Sequence, residues 1–142
     1  MKTLSWDDCL KTGMAKYITP DPERALALTE TALARLQFLN KADQNYPNFI
    51  FEGQYTSIVE LFHAFMLKVG IKVENHLCVG HYLKEIIHRE DLFNIFNDCR
   101  HKRNLLVYYG KRMNEDIAKE SMQKAEELIN GVRKLLEPPK SI

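Results

Sequence analysis

FIFEGQYTSIVELFHAFMLKV, residues 49–69, is the most apolar stretch of the chain. Phe51, Tyr55, Ile58, Phe62, Phe65 and Val69 recur every three or four residues and form a wide stripe on a helix. Such a stripe suits a helix at the centre of a bundle, packed on several sides. Gly70 follows directly, and glycine is the usual residue at the left-handed position that ends a helix.

The flanking sequence supplies helices to surround it. Upstream, Ser5 with Asp8 three residues on reads as a capping box, and Trp6, Cys9, Leu10, Met14 and Ile18 follow helical spacing. Pro20 and Pro22 break that run, and Thr19 or Asp21 can cap the next. From Glu23 to about Ala42, Ala25, Leu28, Ala32, Leu36 and Leu39 lie along one side of a strong helix former. Asn45, Pro47 and Asn48 read as a loop. Downstream, Asn75 can cap a helix from His76 to about His88 that carries Leu77, Val79, Leu83 and Ile87. A further helix spans Leu92–Tyr109, with Leu92, Ile95, Phe96, Cys99, Leu106 and Val107 facing inward, and Gly110 ends it. Asn114 caps the last helix, whose apolar positions are Ile117, Met122, Ala125, Leu128, Ile129, Val132 and Leu136; Pro138 and Pro139 stop it. Its charged residues, Lys119 to Lys134, read as a solvated face. No stretch alternates as a strand of useful length. The expectation is an all-α, up-and-down bundle of five to six helices, one domain over residues 1–142 with a core from about 5 to 137.

Composition narrows the function. Apolar residues make up 45% and charged residues 27%, the balance of a folded domain. No apolar run reaches the ~18 residues of a membrane span. The early Trp6, Asp7 and Asp8 do not follow the order of a signal peptide, so a cytoplasmic protein is expected. Cys9, Cys78 and Cys99 are odd in number and far apart; they fit neither a disulfide framework nor a CxxC zinc site and read as free, buried thiols. A net charge of +1 argues against a general coat for nucleic acid, so any such contact must come from a local patch.

One stretch offers that patch. Between Asp98 and Glu115 there is no carboxylate, and the run holds Arg100, His101, Lys102, Arg103, Asn104, Tyr108, Tyr109, Lys111 and Arg112. The arrangement Arg103-Asn104-x-x-x-Tyr108-Tyr109-Gly110 resembles the signature of the HEPN domain (higher eukaryotes and prokaryotes nucleotide-binding). In that family an Arg, usually followed by a polar residue, precedes a His by about four to six residues on a late helix. Arg103 and Asn104 match, and Tyr108 stands in the His position. The run Phe51-Glu-Gly-Gln-Tyr55, then Glu60, Ala64, Gly70, Lys72 and His76, is similar to the middle helix and following turn of archaeal and bacterial members. Leu10, Ala15 and a Pro-flanked Asp before Glu23 resemble the family's start, and the helix after Gly110 resembles its end.

The resemblance implies a metal-independent RNA-cleaving site, often shared across a homodimer, and frequent pairing with a minimal nucleotidyltransferase as toxin and antitoxin. It implies no cofactor. Within it, Arg103 would hold a phosphate with its forked donors, Asn104 would orient an oxygen, and Tyr108 and Tyr109 would offer stacking faces beside Arg100 and Lys102. A phenol titrates near pH ~10, so Tyr108 is a poor general base at neutral pH. His101 is the substitute that sequence suggests, although it lies on a different helical face. The expectation is therefore a nucleotide- or RNA-associated domain with little or no cleavage, and the alternative is an RNase using Arg103 with a non-standard base. Tyr109 could also receive a nucleotide, as a Tyr near the motif does in some family toxins. A purely structural role would pair Arg103 with Glu60 inside the bundle.

Glu60-Leu-Phe-His63 and Glu85-Ile-Ile-His88 raise a further alternative, a di-iron carboxylate bundle, because E-x-x-H sets both side chains on one helix face. His81 and His88 are two turns apart, about 10 Å, and cannot share one ion. His76 reads as a capping or packing residue. No Walker loop, G-x-G-x-x-G or G-x-S-x-G occurs.

Overall fold

The computed structural model describes residues 5–137. Six helices and one two-stranded ribbon appear among them: α1 (Trp6–Lys11), β1 (Ala15–Tyr17), α2 (Pro22–Asn40), α3 (Pro47–Val69), β2 (Ile71–Val73), α4 (His76–Glu85), α5 (Glu90–Tyr109) and α6 (Glu115–Leu136). The all-α bundle expected from the apolar periodicity is what the chain forms. The stop assigned to Pro138 and Pro139 lies outside the described residues.

α3 is the central element, packed against α2, α6, α5 and β2. Phe51, Tyr55, Ile58 and Phe62 are buried as the stripe predicts, and Ser57, Leu61, Ala64 and Met66 extend burial to other faces. Val69, at the end of the stripe, is exposed. Gly70, at φ 91°, closes the helix, and a Cβ there would lie 2.8 Å from the Ile18 carbonyl oxygen, so only glycine fits. The caps behave as read. Ser5, Asp21, Asn75 and Asn114 each accept a backbone N–H from the first turn of their helices. Pro47 and Asn48 open α3 instead of lying in a loop, since proline is tolerated in a first turn.

Three expectations are corrected. The run from Trp6 to Ile18 is not one helix. Gly13, at φ 78°, turns the chain after α1, and Ala15–Tyr17 pairs antiparallel with Ile71–Val73, with Lys16 opposite Lys72. The apolar spacing of Met14 and Ile18 was accidental there. Second, α4 stops at Glu85, three residues short of His88. His88 itself takes a left-handed conformation at φ 61°, and Arg89 N–H donates to the Leu83 carbonyl in a turn that ends the helix.

Third, Cys9 and Cys78 are joined in a disulfide, and Cys99 alone among the three is a free, buried thiol. The partners are 69 residues apart in sequence, so spacing gave no hint; the packing of α1 on α4 brings them together. Burial pushes the Cys99 thiol up to about 12, which makes it a poor nucleophile.

The bridge closes a long loop, and the chain entropy it removes from the unfolded state is worth about 4 kcal/mol. The Cys9→Ala/Cys78→Ala variant is expected to lose stability of that order, read as a lower denaturant midpoint. Reductant should shift the wild type likewise and leave the variant unmoved.

Candidate functional site

Helical spacing puts Arg100, Arg103 and Asn104 on one face of α5, at i, i+3 and i+4. That face meets α3 at Tyr55 and the first turn of α4 at His76. A cavity of about 310 Å³ opens at the junction. Arg100, Arg103, Asn104 and Tyr108 line it from α5, and Asn75, His76 and Leu77 line it from the start of α4.

The two guanidiniums are held without carboxylates. Arg103 lies between two aromatic rings, 5.4 Å from the centroid of Tyr55 and 5.4 Å from that of Tyr108. Its Nη1 donates to Tyr108 Oη at 3.3 Å and to Asn104 Oδ1 at 3.4 Å. Arg100 donates through Nη2 to Asn97 Oδ1 at 3.0 Å, while its enclosed Nε meets no acceptor among the described residues. Neither Arg forms a salt bridge among the described residues. The nearest carboxylate in sequence, Asp98, pairs with Lys102 at 2.9 Å.

His76 is the residue that sequence reasoning undervalued. Its Nδ1 lies 2.9 Å from Tyr55 Oη. Tyr55 is buried, and burial pushes its phenol up to about 12 against the opposing pull of Arg103 and Arg100, so it keeps its proton. Burial is also the main reason that His76 titrates below the ordinary 6.5, followed by His63, Arg103 and Arg100. The imidazole in the cavity is therefore neutral at pH 7. The available signal was positional: Asn75 caps α4, which fixes His76 at its first residue, and the helix before it carries Tyr55.

Other expected residues lie elsewhere. Lys102, bound to Asp98, and the exposed Tyr109 do not line the cavity, and His101 is exposed. Glu60 does not pair with Arg103. It pairs with Arg35 of α2, whose Nη1 also donates to Ser57 Oγ. Glu60 follows Tyr55 by five residues, roughly 140° around the helix, and so points away from α5. The E-x-x-H pairs do not converge. Glu85 accepts the Trp6 N–H at 2.9 Å, and no group of three or more His, Cys, Asp or Glu able to hold a metal occurs among the described residues. No protein-family model, curated protein or solved structure matches the chain.

His63 and His76 both titrate below 6.5 in the folded chain, so the unfolded chain takes up protons first as pH falls. Their contribution to stability is complete above about pH 6.5 and is lost as pH drops through the lowered values. Urea midpoints are expected to decline from pH 7.5 to 5, with a shallower slope in His63→Gln/His76→Gln. At the alkaline end, Tyr55 contributes fully below pH 10.0, and that contribution fades as pH rises through about 12. Tyr55→Phe should lessen the alkaline drift, and the remainder comes from Cys99, also pushed up to about 12, and from Tyr82, raised by burial.

Proposed function

We propose that this chain is an HEPN-like domain that binds RNA or a nucleotide by a phosphate group and has little or no cleavage activity of its own. One observation carries the reading: two half-buried guanidiniums, Arg100 and Arg103, meet in one cavity with no carboxylate among the described residues to neutralise either. A partly desolvated guanidinium without a counterion favours an arriving anion, and its planar fork suits phosphate oxygens. The first turn of α4 adds its positive dipole end at the same rim. Tyr108, 67% exposed, presents a ring on which a base can stack.

In the same reading the domain is a homodimer and works beside a minimal nucleotidyltransferase in a toxin–antitoxin-like module. Tyr109, 78% exposed at the end of α5, is accessible to such an enzyme. Tyr46 and Phe49 stack at 6.2 Å, and Asn48 beside them exchanges two hydrogen bonds with the Met113 backbone after α5. A module of this kind works in the cytoplasm, where the complete burial of Cys9 and Cys78 shields their bond from thiol exchange.

The experiment is binding of a short single-stranded RNA across a salt series. Wild type should bind with an affinity that falls steeply with salt. Arg103→Ala and Arg100→Ala should each weaken binding by about tenfold and flatten the salt slope by about one. Equal affinity in wild type and both variants sinks the reading.

A second reading, a metal-independent RNase, is favoured by His76, because a neutral imidazole can accept the 2′-hydroxyl proton that Tyr108 cannot. RNA incubated in chelator separates the two. Cleavage that disappears in both His76→Ala and Arg103→Ala selects the RNase. An intact RNA with undiminished binding selects the binding domain.

A further inference from the structure

The charge in the cavity is greater than one internal phosphate of RNA supplies. A phosphodiester carries one negative charge. A terminal phosphomonoester carries close to two at neutral pH. Arg100 and Arg103 are two fixed positive charges, and the only carboxylate near them on α5, Asp98, is already joined to Lys102. Two guanidiniums facing one diester leave an excess of desolvated positive charge, and facing one monoester they balance it.

His76 responds to the second charge. The groups that act on it from each neighbouring element are Tyr55 and His63 of α3 and Arg100 and Arg103 of α5; none is a carboxylate. In the unliganded protein burial, and then His63 and the two guanidiniums, disfavour a charge on the ring. A dianion entering beside Arg100 and Arg103 cancels the repulsion that both guanidiniums exert on the ring, and so favours a proton on the imidazole more than a monoanion does. The Tyr55 hydroxyl can donate or accept, so Nδ1 can take up that proton and keep its 2.9 Å partner.

We infer that the cavity selects a terminal phosphomonoester, that of a nucleotide or of an RNA end, over an internal phosphodiester, with His76 taking up one proton from solvent as the ligand binds. This rests on the phosphate-binding reading given above. Arg100, Arg103 and the protonated His76 then surround the phosphate, and the exposed Tyr108 ring lies where the attached nucleoside can stack.

The test is calorimetric titration with a nucleoside 5′-monophosphate and with its methyl ester, ligands that differ by one methyl group and one charge. At pH 7 the monophosphate is expected to bind about tenfold more tightly. Titration in two buffers of different ionisation enthalpy should show uptake of a fraction of a proton, approaching one, with the monophosphate and little with the ester. Monophosphate affinity should improve as pH falls from 8.5 towards 6.5, then worsen below about 6 as the ligand itself gains a proton. In His76→Gln the proton uptake should vanish and the preference should shrink. The proton count in the wild type stands whatever that substitution does to folding. RNA oligomers with a 5′-phosphate or a 5′-hydroxyl repeat the comparison on a longer ligand.

Equal affinity for the two esters without proton uptake, both still requiring Arg103, overturns the monoester assignment and leaves phosphate binding intact. Failure of both ligands and of the RNA oligomers to bind removes both readings together.

Discussion

A helix buried on most of its circumference has to be enclosed, and α3 imposes that condition on the whole chain. α2, α5, α6 and the β1–β2 ribbon are arranged to cover it. Tyr55 shows how this requirement reaches the surface. Its ring is fully buried and stacks near Phe96 at 6.1 Å, while the same ring lies under the Arg103 guanidinium and its hydroxyl holds His76. One side chain thus belongs to the core and contacts two residues that line the cavity, Arg103 and His76, so the packing that stabilises the bundle also fixes the site.

The arginines pull the other way. Half-buried guanidiniums without carboxylates cost desolvation energy that an internal ion pair would offset. Arg35 shows that offset in the same molecule, paired with Glu60 between α2 and α3. Arg103 receives two aromatic faces instead, and cation–π attraction of about 0.5–2 kcal/mol leaves the charge itself unneutralised. The contrast between Arg35 and Arg103 separates an arginine neutralised inside the fold from one whose charge meets no carboxylate among the described residues.

Much of this architecture is legible in the residues. The stripe from Phe51 to Phe62, Gly70 and the caps at Ser5, Asp21, Asn75 and Asn114 place the major helices within a few positions, because periodicity and capping are local properties. The same locality brings Arg100, Arg103, Asn104 and Tyr108 to one face of α5. What stayed hidden depends on distant contacts. Cys9 meets Cys78, Arg35 takes Glu60, and His76 reaches Tyr55 only after α1, α2 and α4 have packed. The ribbon escaped notice because strands of three residues carry too little alternation to stand out against a helical background.

The Cys9–Cys78 bond also divides the chain in a way that the helices do not. Residues 9–78 form a covalent ring holding α2 and α3, and α5 and α6 hang from it as an open tail. The cavity is therefore a seam between ring and tail: Asn75, His76 and Leu77 belong to the first, Arg100 and Arg103 to the second. Proteolytic nicking in the connection after α2, where residues 43–46 are exposed, linearises the ring without releasing either fragment. The two pieces stay tethered beside the first turn of α4, and only a reductant can let them part.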